Sequence, residues 1–342
     1  MNSDQLSPQH YLKIAQQENS HYYNDFVKEF EVLSNILSAQ QRKNLEQKLQ
    51  LTGQVQFNEG HFVRIACETT VCAYFAELYP KNFRYEFRCN STNHKDVDCQ
   101  FTDGKYTYNV EVKCPGLENY GVGKKTWPKM EMIGRFEPKA REAVDELIAI
   151  LNSHVEEQEN KWYYNLQKSL DNTMKSFLQE AHEKFSSVEL TDMVNILVVC
   201  VDDVNDVQRW VNYFFQEKGL FTEESFTNPT TYSRVDIVLL TNLMNRHYLF
   251  NNKSIQGNSW CLKDAFNLAF DNPLKKIYKI DGMLNFLYKF PHYSYFLQDY
   301  LNEEGKNIND KKFERAIAVR QFVPQFEKLL SSIEGNQVHF FA

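Results

Sequence analysis

The spacing of apolar positions changes period several times along this chain. Residues 9–50 follow a helical period, with Phe26, Phe30, Leu33 and Leu37 on one stripe, and Thr52-Gly53 closes the region. A second helical pattern runs from about Gly60 to Leu78 and stops before Pro80. The pattern then shortens to alternation, which predicts strands over Phe83–Cys89, Asp96–Phe101 and Tyr106–Lys113. Pro115-Gly116 ends this block, and the stretch to Pro138 is irregular, punctuated by Gly121, Gly123, Pro128 and Gly134. Helical spacing returns from Lys139 to about Phe185. The continuous apolar run Val194–Val201 reads as a buried strand. Asp202-Asp203 is placed to cap a helix through Trp210 and Phe214 to Phe215, with both aromatics in the core. Val235–Leu240 reads as a further strand, and from Trp260 the chain looks helical again. This order predicts an α/β fold with a mixed sheet and helical additions at both ends.

The hairpin carries the chemistry. Asp103-Gly104 between two alternating runs predicts a two-residue loop, which sets Phe101 against Tyr106 and Asp98 against Asn109. Side chains alternate along a strand, so Asp98, Glu111 and Lys113 share one face while Val97, Cys99, Phe101, Val110 and Val112 line the other. Asp96 shares the polar face and rivals Asp98. We favour Asp98 because Cys99-Gln100-Phe101 continues its strand, whereas Asp96 follows the polar Asn93-His94-Lys95 loop. His94 reads as a loop histidine, and Gln100 and Asn109 as polar residues beside the site. On the preceding helix Ile65, Glu68, Cys72 and Phe75 fall on one face, and a carboxylate within an apolar stripe is costly unless paired or bound to a metal. Glu68 is therefore the candidate third acid, ahead of Glu59 and Glu77.

Composition narrows the function classes. The 342 residues are 42% hydrophobic and 24% charged, as in an ordinary globular protein, and 26 Phe and 19 Tyr predict a large core. The net charge of -7 means that any nucleic-acid surface must be local. No run approaches the roughly 20 apolar residues that span a bilayer. Met1–Gln5 has no basic-then-apolar leader pattern, so a cytoplasmic protein is expected. The 7 cysteines are scattered without a Cys-x-x-Cys motif, which predicts reduced thiols used in packing rather than a zinc site.

Asp98 followed by Glu111-Val112-Lys113 resembles the signature of the PD-(D/E)xK nuclease superfamily, over roughly residues 57–241. Val97 stands where the family's motif has its proline. The resemblance implies a restriction-endonuclease-like core at 57–250 with a long helical insertion near 139–186. That core would be flanked by helical regions at 1–56 and 251–342. It implies a metal-dependent nuclease acting on DNA, in a restricted role such as restriction or antiviral defence, with a homodimer or a regulatory protein partner. Asp98 and Glu111 would bind Mg²⁺, with Mn²⁺ as an alternative. Glu68 and the Val112 carbonyl would complete the metal site, and Lys113 would orient the attacking water. Such carboxylate oxygens suit a hard cation that keeps several waters. Two further readings stay open: a catalytically inactive scaffold or nucleic-acid-binding protein on the same fold, and an RNA-directed nuclease or toxin.

A substrate-gripping surface is expected just after the hairpin. Lys124, Lys125, Lys129, Arg135, Lys139 and Arg141 fall within 18 residues, against Glu131 and Glu137, and interleave with Trp127 and Phe136. Lys311, Lys312, Arg315 and Arg320 form a weaker group. The late aromatics Phe286, Tyr288, Phe290, Tyr293, Tyr295, Phe296 and Tyr300 read as core or a subunit interface rather than as base-stacking residues.

Overall fold

The structure, a computed structural model, describes residues 6–18, 20–52, 56–115, 146, 147, 149, 150, 170–188, 190–202, 204–215, 218–251 and 257–294. The expected gripping residues Lys124, Lys125, Lys129, Arg135, Lys139 and Arg141 lie outside the described residues, as do Lys311, Lys312, Arg315, Arg320, Tyr295, Phe296 and Tyr300. So does most of the expected insertion. Among the described residues no helix is long and apolar enough to cross a membrane.

The first helical region is three helices, α1 (Tyr11–Gln17), α2 (His21–Ser34) and α3 (Ala39–Lys48). Each break has a local cause. Ser20 Oγ accepts from the Tyr22 amide at the start of α2, and Ser38 and Gln41 form a reciprocal capping box at the start of α3. Helix α4 (Glu59–Leu78) begins at Asn58, whose side chain accepts from the His61 amide at 2.9 Å. Its buried residues lie on every side of the helix, as expected of one enclosed between other layers. Phe62, Ile65, Val71 and Phe75 each contribute about 1.5–3 kcal/mol by leaving water.

Six strands form one mixed sheet in sequence order: β1 (Phe83–Phe87), β2 (Val97–Asp103), β3 (Tyr106–Lys113), β4 (Met193–Cys200), β5 (Ile237–Thr241) and β6 (Asn267–Asp271). The first three are antiparallel, β3, β4 and β5 run parallel, and β6 returns antiparallel to β5. Helices α1–α4 cover one face, together with α7 (Leu243–Tyr248) and α8 (Ile280–Lys289). The other face is covered by α5 (Leu170–Lys184) and α6 (Val204–Phe215). Trp210 and Phe214 are fully buried in that second core, and Phe286 and Phe290 are buried in the first. Tyr288, by contrast, is 76% exposed, and Tyr293 packs against the second core.

Strand β6 corrects the expectation of helix from Trp260 onward. Residues 257–294 hold a single-turn 3-10 helix at Leu262–Asp264, then β6, and only then α8. Aromatic and aliphatic residues satisfy both periods over so short a run, and the free edge of β5 decides which backbone partners are present. At α8, a Cβ on Gly282 would lie 2.9 Å from Val194 Cγ2, so glycine lets this helix approach β4.

Buried polar groups bind the layers in a defined register. Gln100 Nε2 donates to Asn109 Oδ1, and Asn109 Nδ2 donates to Asn195 Oδ1, both at 2.8 Å across β2, β3 and β4. Asp236 Oδ2 accepts from the Asn195 amide at 2.7 Å and from Lys279 Nζ at 2.8 Å, which ties β4, β5 and the start of α8 together. On the opposite face His247, fully buried, joins Tyr22 and Thr70, both at 3.0 Å. Asp236 and Lys279 are 1% and 3% exposed at their side chains, so removing one partner strands the other charge away from water. Asp236→Ala is expected to cost about 3–5 kcal/mol in urea unfolding. A loss under about 1 kcal/mol would show that the pair is not desolvated.

Candidate functional site

The two strands that carry the candidate residues part company at Asp98. The β2–β3 ladder runs from Asp103–Tyr106 back to Cys99–Val110. One step further stand Asp98 and Glu111, and there the Asp98 side chain takes over: its Oδ2 accepts from the Val112 amide at 2.6 Å. The loop is thus Gly104-Lys105 rather than Asp103-Gly104, and the register differs by two residues from the expected one. Gly104 sits first in the loop with φ +61, the conformation type II′ hairpins require there. Because the shift is two residues, the faces are conserved, but Asp98 now stands level with Glu111 instead of Asn109. Asp96 lies outside the strand and pairs with Arg88 at 3.1 Å.

A second irregularity lies on the other side of Asp98. Tyr85 pairs with Cys99 and Phe87 with Val97, while Glu86, between them, takes φ +47. A left-handed conformation at a residue with a Cβ costs of order 1–3 kcal/mol, and such strain gathers where a site needs a particular geometry. Strict alternation fails here. Tyr85 and Cys99 pack on the α4 side, but Phe87 and Val97 pack on the α5 side, so Val97 belongs to the opposite core from the one expected. The two strands turn over together at Glu86 and Asp98, and the Asp98 carboxyl is left in the seam.

Acidic and basic groups converge on that seam from six elements. Glu68 comes from α4, Asp98 from β2, and Glu111 and Lys113 from β3. Glu111 is 1% exposed, and its Oε1 accepts from Lys184 Nζ of α5 at 2.6 Å and from Lys113 Nζ at 3.2 Å. Lys113 also reaches Glu180 Oε2 at 2.8 Å. On the other side Lys48 of α3 pairs with Glu86 and acts electrostatically on Glu68 and Asp98. Lys184, Glu180, Lys48 and Glu86 escaped the sequence reading. Each is an ordinary charge on a helix or strand, and only the packing of α5 and α3 against the seam assigns it here. Glu59 instead accepts from Tyr11 and Tyr248, about 13 Å along α4 from Glu68, and Glu77 is solvent-exposed. His94 is exposed in the turn before β2.

All three acids are held above their ordinary values. Burial pushes Glu68 well up, and the charges of Asp98, Cys114 and Glu111 add to it against the pull of Lys48. Burial raises Asp98 too, opposed by Lys184, the Val112 amide, Lys113 and Lys48. Glu111 rises to about 7, first through burial and then through Asp98, with Lys184 and Lys113 opposing. Lys113 moves up as well. Burial favours its neutral form, but Glu111 and Glu180 outweigh that, so it stays an ammonium and is not poised as a base.

These carboxyls offer the kind of oxygen donor that a hard divalent cation takes, but among the described residues the ligating atoms that gather within 4.8 Å of one another belong to three cysteines and not to these acids. Three carboxyls share one seam with more negative charge than the lysines relieve, and Glu111 Oε2 is buried with no hydrogen-bond partner. A cation against that oxygen would supply its missing partner and lower all three acids at once. Val112, whose amide is fixed by Asp98, lies between Glu111 and Lys113, where its carbonyl is the candidate backbone ligand. None of the family models, characterised proteins or solved structures compared with this chain matches it.

The sign of the pH dependence follows from Glu111. Its folded-state value of about 7 lies above its ordinary 4.5, so the folded protein retains a proton that the unfolded chain releases between those values. Stability should therefore fall as pH rises through that window, by at most roughly 3 kcal/mol at about 1.4 kcal/mol per unit. In urea unfolding without added metal, Glu111→Gln should gain on the unsubstituted protein between about pH 5 and pH 8. Parallel profiles for the two proteins would show that Glu111 does not titrate there.

Proposed function

We propose that this chain is a metal-dependent nuclease with a restriction-endonuclease-like core, hydrolysing phosphodiester bonds in DNA. The observation that carries the reading is the convergence of Glu68, Asp98 and Glu111 beside Lys113, at the point where β2 leaves β3. Asp98, Glu111 and Glu68 would hold Mg²⁺ or Mn²⁺, with the Val112 carbonyl as a further ligand. When bound, the ion supplies positive charge for the phosphate oxygens in the transition state and makes a water easier to deprotonate.

The protein groups act around that charge. Lys113, tethered at 3.2 Å to Glu111 and at 2.8 Å to Glu180, presents a permanent ammonium that can orient the attacking water and donate to a phosphate oxygen. Proton acceptance falls to a group other than Lys113. The buried α4 and the seam between β2 and β3 hold the acids on rigid elements, which limits reorganisation during the reaction.

A place for the nucleic-acid strand lies on the same sheet face as Glu111. A cavity of about 500 Å³ is lined by Lys81, Arg84, Phe87, Arg88, Gln100 and Thr107, among others. Arg84 lies 5.0 Å from the centre of the Phe87 ring, a cation beside an apolar plate of the kind that holds phosphate and base together. Lys81, Arg84 and Arg88 are all exposed.

One observation favours a second reading, a scaffold without turnover. Glu111 Oε1 is already held by two ammonium groups, Lys184 and Lys113, so the cluster is also a partly neutralised ion-pair network.

Incubation of the full chain with plasmid, single-stranded DNA and RNA in Mg²⁺ or Mn²⁺ separates the readings. Cleavage of DNA is expected, reduced about 10²-fold or more by Asp98→Ala, Glu111→Ala or Lys113→Ala in variants that keep their circular dichroism. Absence of cleavage with either ion, or cleavage indifferent to Lys113→Ala, would remove the nuclease reading, while cleavage of RNA alone would change its substrate. Replacing Arg84 and Arg88 by Ala should weaken DNA binding and flatten its salt dependence by about two phosphate contacts. An unchanged salt slope would place the strand elsewhere.

A further inference from the structure

Three cysteines from distant parts of the sequence meet behind the carboxylate seam. Cys67 lies on α4, Cys114 directly follows β3, and Cys200 ends β4. Their Sγ atoms all lie within 4.8 Å of one another. Cys67 and Cys200 are fully buried, and Cys114 is half-buried. The expectation that these thiols merely fill the core does not account for this arrangement. A packing thiol needs only apolar neighbours, whereas these three turn their sulfurs towards one another. Cys72 and Cys99, also buried, lie close to each other but belong to no such group of three among the described residues.

We propose that Cys67, Cys114 and Cys200 form a three-thiolate site for a thiophilic divalent cation of the zinc class. Zinc binds thiolate sulfur at about 2.3 Å in a tetrahedron, which sets neighbouring sulfurs about 3.8 Å apart. With all three sulfurs within 4.8 Å of one another, they need to close by at most about 1 Å to reach that spacing. Three protein ligands leave a fourth position, and the half-buried Cys114 marks the side from which a water or another small ligand can enter. Three thiolates around a divalent ion leave one net negative charge. Arg64, about one turn before Cys67 on α4, supplies a guanidinium whose charge acts on Cys114.

The site would also act on its surroundings. Cys67 is adjacent to Glu68, and Cys114 is adjacent to Lys113. An ion held by all three sulfurs would pin α4 to the ends of β3 and β4, fixing the backbone from which those two side chains project. It is distinct in ligand chemistry from the carboxylate seam: soft sulfur selects zinc, and carboxylate oxygen selects Mg²⁺ or Mn²⁺.

The test uses the reduced full chain and Co²⁺ as a spectroscopic stand-in for zinc. Co²⁺ should bind at about one equivalent with an intense near-ultraviolet sulfur-to-metal charge-transfer band, which zinc displaces. The band should be lost in Cys114→Ser and in Cys200→Ser, and retained in Cys72→Ser and in Glu111→Gln. Cys114 is half-buried, so its serine variant should keep the fold, which circular dichroism checks. Zinc should also slow the reaction of these thiols with a disulfide reagent, in the unsubstituted protein but not in Cys114→Ser. Absence of the band, a band indifferent to the Cys114 and Cys200 substitutions, or one lost in Glu111→Gln would overturn the proposal.

Discussion

A side-chain carboxylate standing in for a backbone ladder bond sets the shape of this molecule. Asp98 Oδ2 satisfies the Val112 amide at the point where β2 would otherwise continue along β3. An unpaired amide buried at that depth would cost of order 1–3 kcal/mol, so the strands can part only because a carboxylate takes the bond. With the ladder ended, β1 and β2 turn over together, Glu86 enters the left-handed region, and a seam opens between two otherwise continuous cores. The rigid α4 on one side and α5 on the other then determine which charges face the opening.

Those charges are balanced incompletely and unevenly. Lys48 serves Glu86 on the α3 side, and Lys113 and Lys184 serve Glu111 on the α5 side, while Asp98 lies between and feels all three lysines. The shared burial raises the acids, and on the nuclease reading a divalent cation would offset it. It also confines Lys113 to one protonation state, because two carboxylates hold its ammonium. On the nuclease reading, the lysine contributes charge and orientation, and proton transfer runs through another group. The thiol triad lies against the back of this assembly. Its sulfurs come from the same α4 and the same end of β3 that carry Glu68 and Lys113, so the two clusters share a backbone while differing in donor chemistry.

The sequence was informative wherever a single period dominated. The stripe of Phe26, Phe30, Leu33 and Leu37, the buried run ending at Val201 and the alternation after Tyr106 each matched elements within a few residues. Ambiguity arose where physics is non-local. A two-residue error in the hairpin loop left the faces right and the partners wrong, because alternation fixes parity while loop geometry fixes register. Val97 changed cores because of a backbone irregularity at Glu86, which has no compositional signal. Residues 267–271 could follow either period and became β6 because β5 presented an unpaired edge.

By itself, then, the sequence determined that an α/β sheet would form and that Asp98, Glu111 and Lys113 would sit on one hairpin, since hydrophobic period and turn chemistry act over a few residues. It also singled out Glu68, because a carboxylate in an apolar helical stripe is anomalous without reference to any other element. Tertiary structure alone decided that Glu68 meets Asp98, that Lys184 and Lys48 share the charge, and that Cys67, Cys114 and Cys200 come together. Those groupings join residues tens of positions apart through helix-on-sheet packing, and no local spacing in the chain encodes which helix lies over which strand.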